Sequence, residues 1–119
     1  MQQLLISVLE DLNNTSPDIV ASAVISTDGL PMATMLPSHL NSDRVGAISA
    51  TLLALGSRSV QELACGELEQ VMIKGKSGYI LLSQAGKDAV LVLMAKETGK
   101  LGLILLDAKR AARHIAEAI

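Results

Sequence analysis

Aromatic side chains are almost missing from this chain. Trp and Phe are absent and Tyr79 is the one aromatic ring, although half of the residues are apolar. The core must then be aliphatic, and a surface that stacks single-stranded nucleic acid on flat rings is excluded. Positive charge is also scarce. Net charge is −2 and no basic run exceeds the pair Lys109 and Arg110, so the footprint of a phosphate backbone is missing and nucleic acid is not expected as a partner. Cys65 stands alone, which rules out a disulfide within the chain, and with only His39 and His114 beside it no metal-ligand spacing can be assembled. No metal or cofactor is expected. Long apolar runs are lacking too, and MQQLLISVLEDL has no basic start or cleavage site, so neither membrane insertion nor export is predicted and a reduced, cytoplasmic setting fits. Without export, the sequon Asn13-Asn14-Thr15 has no meaning.

What the chain does have is periodicity. At 119 residues it is read as a single domain, 1–119, large enough to bury a core unaided. Leu4, Leu5, Val8, Leu9 and Leu12 recur at helical spacing before the turn formers 13–17. IVASAVIST and LPMATML flank Asp28-Gly29, the signature of a tight hairpin in which both central positions take positive φ. Ser42 to Cys65 reads as one long helix, with Asn41, Ser42 or Asp43 as its N-cap. LEQVMIK, YILLSQA and AVLVLMAK follow as three strands joined by glycine-bearing turns, the last two apolar on both faces and therefore covered on both. From Leu101 the helical period returns, with Leu101, Leu105, Ala108, Ala112, Ile115 and Ile119 inward. Asp107, Lys109, Arg110, Arg113 and Glu117 point outward, and Arg113 and Glu117 are spaced as an ion pair. The order is helix, two strands, helix, three strands, helix. It predicts an α+β fold of three α/β/α layers, with the terminal helices on one face of a five-stranded antiparallel sheet and the central helix on the other.

The central helix carries the functional expectation. Val45, Ile48, Leu52, Leu53, Leu55, Val60 and Leu63 fall within an arc of about 160°, which predicts one core-facing side. Opposite lie Gly46, Ala47, Ala50, Thr51, Ala54 and Ser57, and no charge occurs from Val45 to Ser57. Solvated helix faces normally carry Lys and Glu. A face this small admits another backbone at close range, either a second copy of the helix across a twofold axis or a neighbour within the same chain.

Catalytic motifs fail one by one. Gly75-Lys76-Ser77 ends like a phosphate loop, but Gln70 stands where the first glycine should be and strands flank it on both sides. Gly56-Ser57-Arg58-Ser59 sits inside the helical pattern and makes no nucleophile elbow. His39 and His114 have no orienting partner, Asp28 is explained by its turn, and Cys65 sits where a helix C-terminus disfavours the thiolate. The sequence predicts a protein that is not an enzyme.

Taken in order, AVISTDGLPMA, DRVGAISATLLALGSRSV, Gly66 before LEQVMIKG, GYILLSQAGKDAVLVLMA and KLGLILLDAKRAARHI resemble the Roadblock/LC7 family over nearly the whole chain. The resemblance implies a homodimer or heterodimer whose central helices lie side by side and whose third strands pair into a ten-stranded sheet. It implies a non-enzymatic adaptor: a partner of a Ras-like GTPase that scaffolds it or stimulates hydrolysis, or alternatively a light-chain or scaffold subunit of a motor or membrane-associated complex. The short chain looks most like the stand-alone prokaryotic type. On that reading the protein interface is Gly46, Ala47, Ala50, Thr51, Ala54, Ser57, Arg58 and Gln61, with Glu69 and Val71 on the third strand, and the GTPase contacts are Arg44, Arg58 and Glu62. Arg58 has a plainer role in pairing with Glu62. A small-ligand sensor is a third alternative, disfavoured because the aliphatic lining predicts a filled core.

Overall fold

The computed structural model describes all 119 residues. It contains α1 (Gln2–Thr15), β1 (Ile19–Ser26), β2 (Pro31–Met35), α2 (Ser42–Glu62), β3 (Gln70–Gly75), β4 (Gly78–Ala85), β5 (Ala89–Lys96) and α3 (Leu101–Ala118). All strand pairs are antiparallel, in the spatial order β2-β1-β5-β4-β3. The expected three-layer α+β architecture is therefore present, with β5 central and apolar on both faces.

The β1–β2 connection differs from the predicted two-residue turn. Gly29 N–H donates to Ser26 O at 2.9 Å, Ser26 N–H donates to Leu30 O at 2.8 Å, and Gly29 alone has positive φ, at 92°. A three-residue loop ending in one left-handed glycine asks less of Asp28, which keeps an ordinary φ. β2 is five residues long, begins at Pro31, pairs with β1 across a register break at Val24/Ile25 and packs against α1.

Beneath the sheet, Leu5, Leu9 and Leu12 of α1 and Ile104, Ala108 and Ile115 of α3 enclose Leu81, Leu91 and Leu93 in one fully buried layer. α3 is turned slightly from the predicted setting. Ile104 and Ala111 are buried, whereas Ile119 is exposed. Asp107, expected in solvent, is half-buried and accepts a 2.6 Å hydrogen bond from Ser16 Oγ, tying the end of α1 to α3. Arg113 and Glu117 form no ion pair, since Arg58–Glu62 is the one ion pair of the structure.

Above the sheet, α2 stands over Ala23, Ile25, Leu82, Val90 and Val92 with Val45 and Leu53. Asn41 caps it, its Oδ1 accepting from Arg44 N–H at 3.0 Å. Its C-terminus closes with Cys65 N–H on Val60 O and Ala64 N–H on Gln61 O, and Ala64 takes the left-handed position at φ 58° that glycine usually fills. That turn sends the chain back beneath the helix, where Leu68 packs in the layer above the sheet before β3 begins.

Candidate functional site

The rotation of α2 decides what the helix shows to the outside. Val45, Gly46, Ser49 and Leu53 are its buried residues. This line sits about 50° round the helix from the centre of the apolar arc, at 100° per residue. Two glycines hold it there. A Cβ on Gly46 would stand 2.2 Å from the Gly29 carbonyl oxygen, and one on Gly56 would stand 2.9 Å from Val71 Cγ2. The helix therefore touches the β1–β2 loop at one end and β3 at the other through bare backbone.

The small face predicted as one surface consequently divides in two. Gly46, assigned to a protein interface, is buried inside its own chain, and Ala50 is half-buried beside it over Gly29. Ser57 is also half-buried, as is Val71, which packs on Gly56. Ala47, Thr51, Ala54, Arg58 and Gln61 are exposed, as are Arg44 and Glu62. Glu69 is exposed just ahead of β3, its carbonyl accepting from Gln84 N–H. The structure thus gathers Arg44, Ala47, Thr51, Ala54, Arg58, Gln61 and Glu62 on one outward side of α2. Arg58 Nε donates to Glu62 Oε1 at 2.9 Å along the helix, which holds its guanidinium on the surface.

Rotation also exposes residues that the periodicity placed inside. Ile48 is 49% exposed, Leu55 61% and Leu63 75%. Below this flank the sheet carries a row in register, Ile73 opposite Ile80 and Ile80 opposite Met94, in which Ile73 is exposed and the other two are half-buried. Between them lies an open groove of about 440 Å³, lined by Ile48, Leu52, Ile80, Val92 and Met94 with His39, Leu40 and Arg44 at its mouth. The expectation of a filled core holds for the layer of α1 and α3 and fails here. Gly46 and Gly56 were the signal: ten residues apart, they lie on one side of the helix and mark the line of closest approach.

β3 forms one border of the sheet, and its outer edge pairs with no strand. No cluster of His, Cys, Asp and Glu suited to a metal is present, and no helix is long and apolar enough to cross a membrane.

The profile of the Roadblock/LC7 domain matches residues 5–95. The chain belongs to the Roadblock/LC7 family. Protein MJ1340 of Methanocaldococcus jannaschii is 38% identical over 108 residues, covering 91% of this chain and 93% of its own. Among solved structures, MglB of Myxococcus xanthus superposes with a TM-score of 0.91 at 14% identity, over 99% of this chain and 89% of that one. An MglB with a tetrameric arrangement gives 0.85 at 23% identity, over 95% and 85%. At these identities the likeness to MglB is one of fold. In this Roadblock/LC7 chain the exposed flank of α2 and the open edge of β3 lie side by side on the same border of the molecule.

Proposed function

We propose that this Roadblock/LC7 protein is a non-catalytic adaptor which pairs with a second copy through α2 and the β3 edge and presents the joined helices to a Ras-like GTPase. One observation carries the pairing. Ile48, Leu55 and Ile73 are exposed aliphatic side chains beside a strand whose backbone groups face outward without partners. Both features are costly in water, and one twofold neighbour covers both.

The GTPase reading is supported by family membership and by the outward side of α2. Ala47, Thr51 and Ala54 make an uncharged centre, with Arg44, Arg58, Gln61 and Glu62 around it. A centre depleted of charge inside a polar rim is the usual anatomy of a protein interface. Docking there shifts the switch loops of a GTPase only so far as one arrangement binds more tightly than another. Arg58 already has a partner in Glu62, so the platform acts by shape and not by lending a guanidinium to the nucleotide.

The test is affinity capture from the native organism with wild type and Ala54→Glu, followed by single-turnover GTP hydrolysis with the captured GTPase. The expected result is a Ras-like GTPase held by wild type and released by Ala54→Glu, with both proteins still dimeric. Capture of no GTPase, or equal capture by the variant, overturns the reading.

A further inference from the structure

We propose that the cleft between α3 and the start of β3 binds a small zwitterion, with its anionic group against Lys109 and Arg113 and a primary ammonium against Glu67 and Glu69. A free amino acid is the simplest molecule of that kind. The inference is independent of the pairing proposed above, since the floor of the cleft is the α3 side of the sheet and α2 crosses the other side.

The sequence of α3 hollows the site out. Lys109, Ala112, Arg113 and Ala116 recur at the spacing that puts residues on one side of a helix, so two long cationic side chains alternate with two small ones. That side faces the end of β4, where a Cβ on Gly86 would stand 3.4 Å from Ala116 Cβ. Within β4, Ser83 lies between Leu81 and Ala85, which both belong to the layer beneath the sheet, and pleating turns all three the same way. Opposite Ser83 in register stands Gln70, the first residue of β3, with Glu67 and Glu69 just ahead of it. The two alanines leave an open cleft of about 410 Å³ between α3 and this corner of the sheet, beyond the rim of the sealed apolar layer and of a size that suits a small molecule.

Ser83 is the residue that points to a ligand. Of the buried polar side chains, Ser16 donates to Asp107, Ser22 to Asn13 and Ser49 to the Val45 carbonyl, whereas Ser83, only 4% exposed, has no hydrogen-bond partner in the chain. Its hydroxyl is not sealed in, because it opens on the cleft. A hydroxyl so nearly buried is costly to leave unbonded, and a polar group seated in the cleft removes that cost. Charge around it is divided between two walls. Lys109 and Arg113 line one and Glu67 and Glu69 the other, yet no ion pair joins them. A plain anion would meet the two carboxylates and a plain cation the two basic groups, while a molecule bearing both signs suits both walls. Its carboxylate accepts from Ser83 Oγ–H, from Lys109 and from the planar fork of Arg113. Its ammonium donates to Glu67 and Glu69, and it is a primary one, because the cleft has no aromatic ring to receive a quaternary nitrogen.

The test follows the backbone amide resonances of the isotope-labelled protein while the common L-amino acids are added one at a time, with acetate and methylamine as single-charge controls. At least one amino acid is expected to move the amides of Ser83, Lys109 and Arg113 with a dissociation constant of ~1 mM or below, and neither control should move them at the same concentration. Ser83→Ala and Arg113→Gln should each weaken that binding by roughly 10- to 100-fold, the usual effect of deleting a hydrogen bond to a charged group. Neither side chain is bonded within the chain, so both variants should keep the circular dichroism and the sedimentation of wild type. No shift with any amino acid, an equal shift with acetate, or undiminished binding by either variant overturns the proposal.

Discussion

Gly46 shows how one absent carbon sets the geometry of a face. Its backbone lies against the Gly29 carbonyl so closely that any side chain would collide with main chain, which cannot swing away as a flexible side chain could. Gly46→Ala should therefore cost about 1–3 kcal/mol, the usual penalty for forcing atoms into filled space. A thermal melt should show the midpoint falling by several degrees, and an unchanged midpoint would place α2 elsewhere. At the same scale the sequence was legible wherever chemistry was local. The pair Arg58–Glu62 was readable from spacing, and the cap was narrowed to Asn41, Ser42 or Asp43, of which Asn41 serves. Asp107 was not, because the bond to Ser16 joins residues 91 positions apart, and nothing in either neighbourhood announces it.

At the scale of elements, helices and strands followed from periodicity, since burial on one side writes its period into the chain. The setting of each helix about its own axis did not follow. In α2 the aliphatic arc was read as the core side, yet the core took Gly46, Ser49 and part of the arc and left Ile48, Leu55 and Leu63 outside. An arc that wide exceeds what one flat sheet can cover, so its far flank stays exposed in the single chain. The end of α2 offers a separate test. Ala64 holds a left-handed conformation that costs a residue with a Cβ about 1–2 kcal/mol. Glycine would remove that cost while giving back part of it as freedom in the unfolded chain. Ala64→Gly should gain roughly 0.5–1 kcal/mol, read as a higher midpoint in urea with an unchanged slope.

For the whole molecule, the two faces of the sheet are unequal. The layer of α1 and α3 is sealed, while the layer of α2 is open along the β3 border. A protein that completes its core by pairing should grow more stable with concentration, because association draws on the folded state alone. Wild type is expected to melt at rising temperatures from sub-micromolar to hundreds of micromolar. Ile48→Glu, which puts a charge on the exposed flank, should sediment as a monomer and lose that dependence. A variant that keeps both the dimer and the dependence would remove the flank from the interface. The antiparallel sheet and its order of elements were legible in the residues themselves, whereas the open border at β3 was implied only by the family resemblance, since a strand at an edge and a strand inside a sheet can carry the same residues.

The two borders of the sheet differ in one more respect. β3 ends the sheet with a run of free backbone groups, whereas β2 ends it with a short strand opened by a proline, broken in register and backed by α1. Proline withholds a donor, and a brief, irregular rim is a poor template for another chain. Copies joined at β3 as proposed would turn blunt rims outward, and ribbon-like polymerisation would end at the first step.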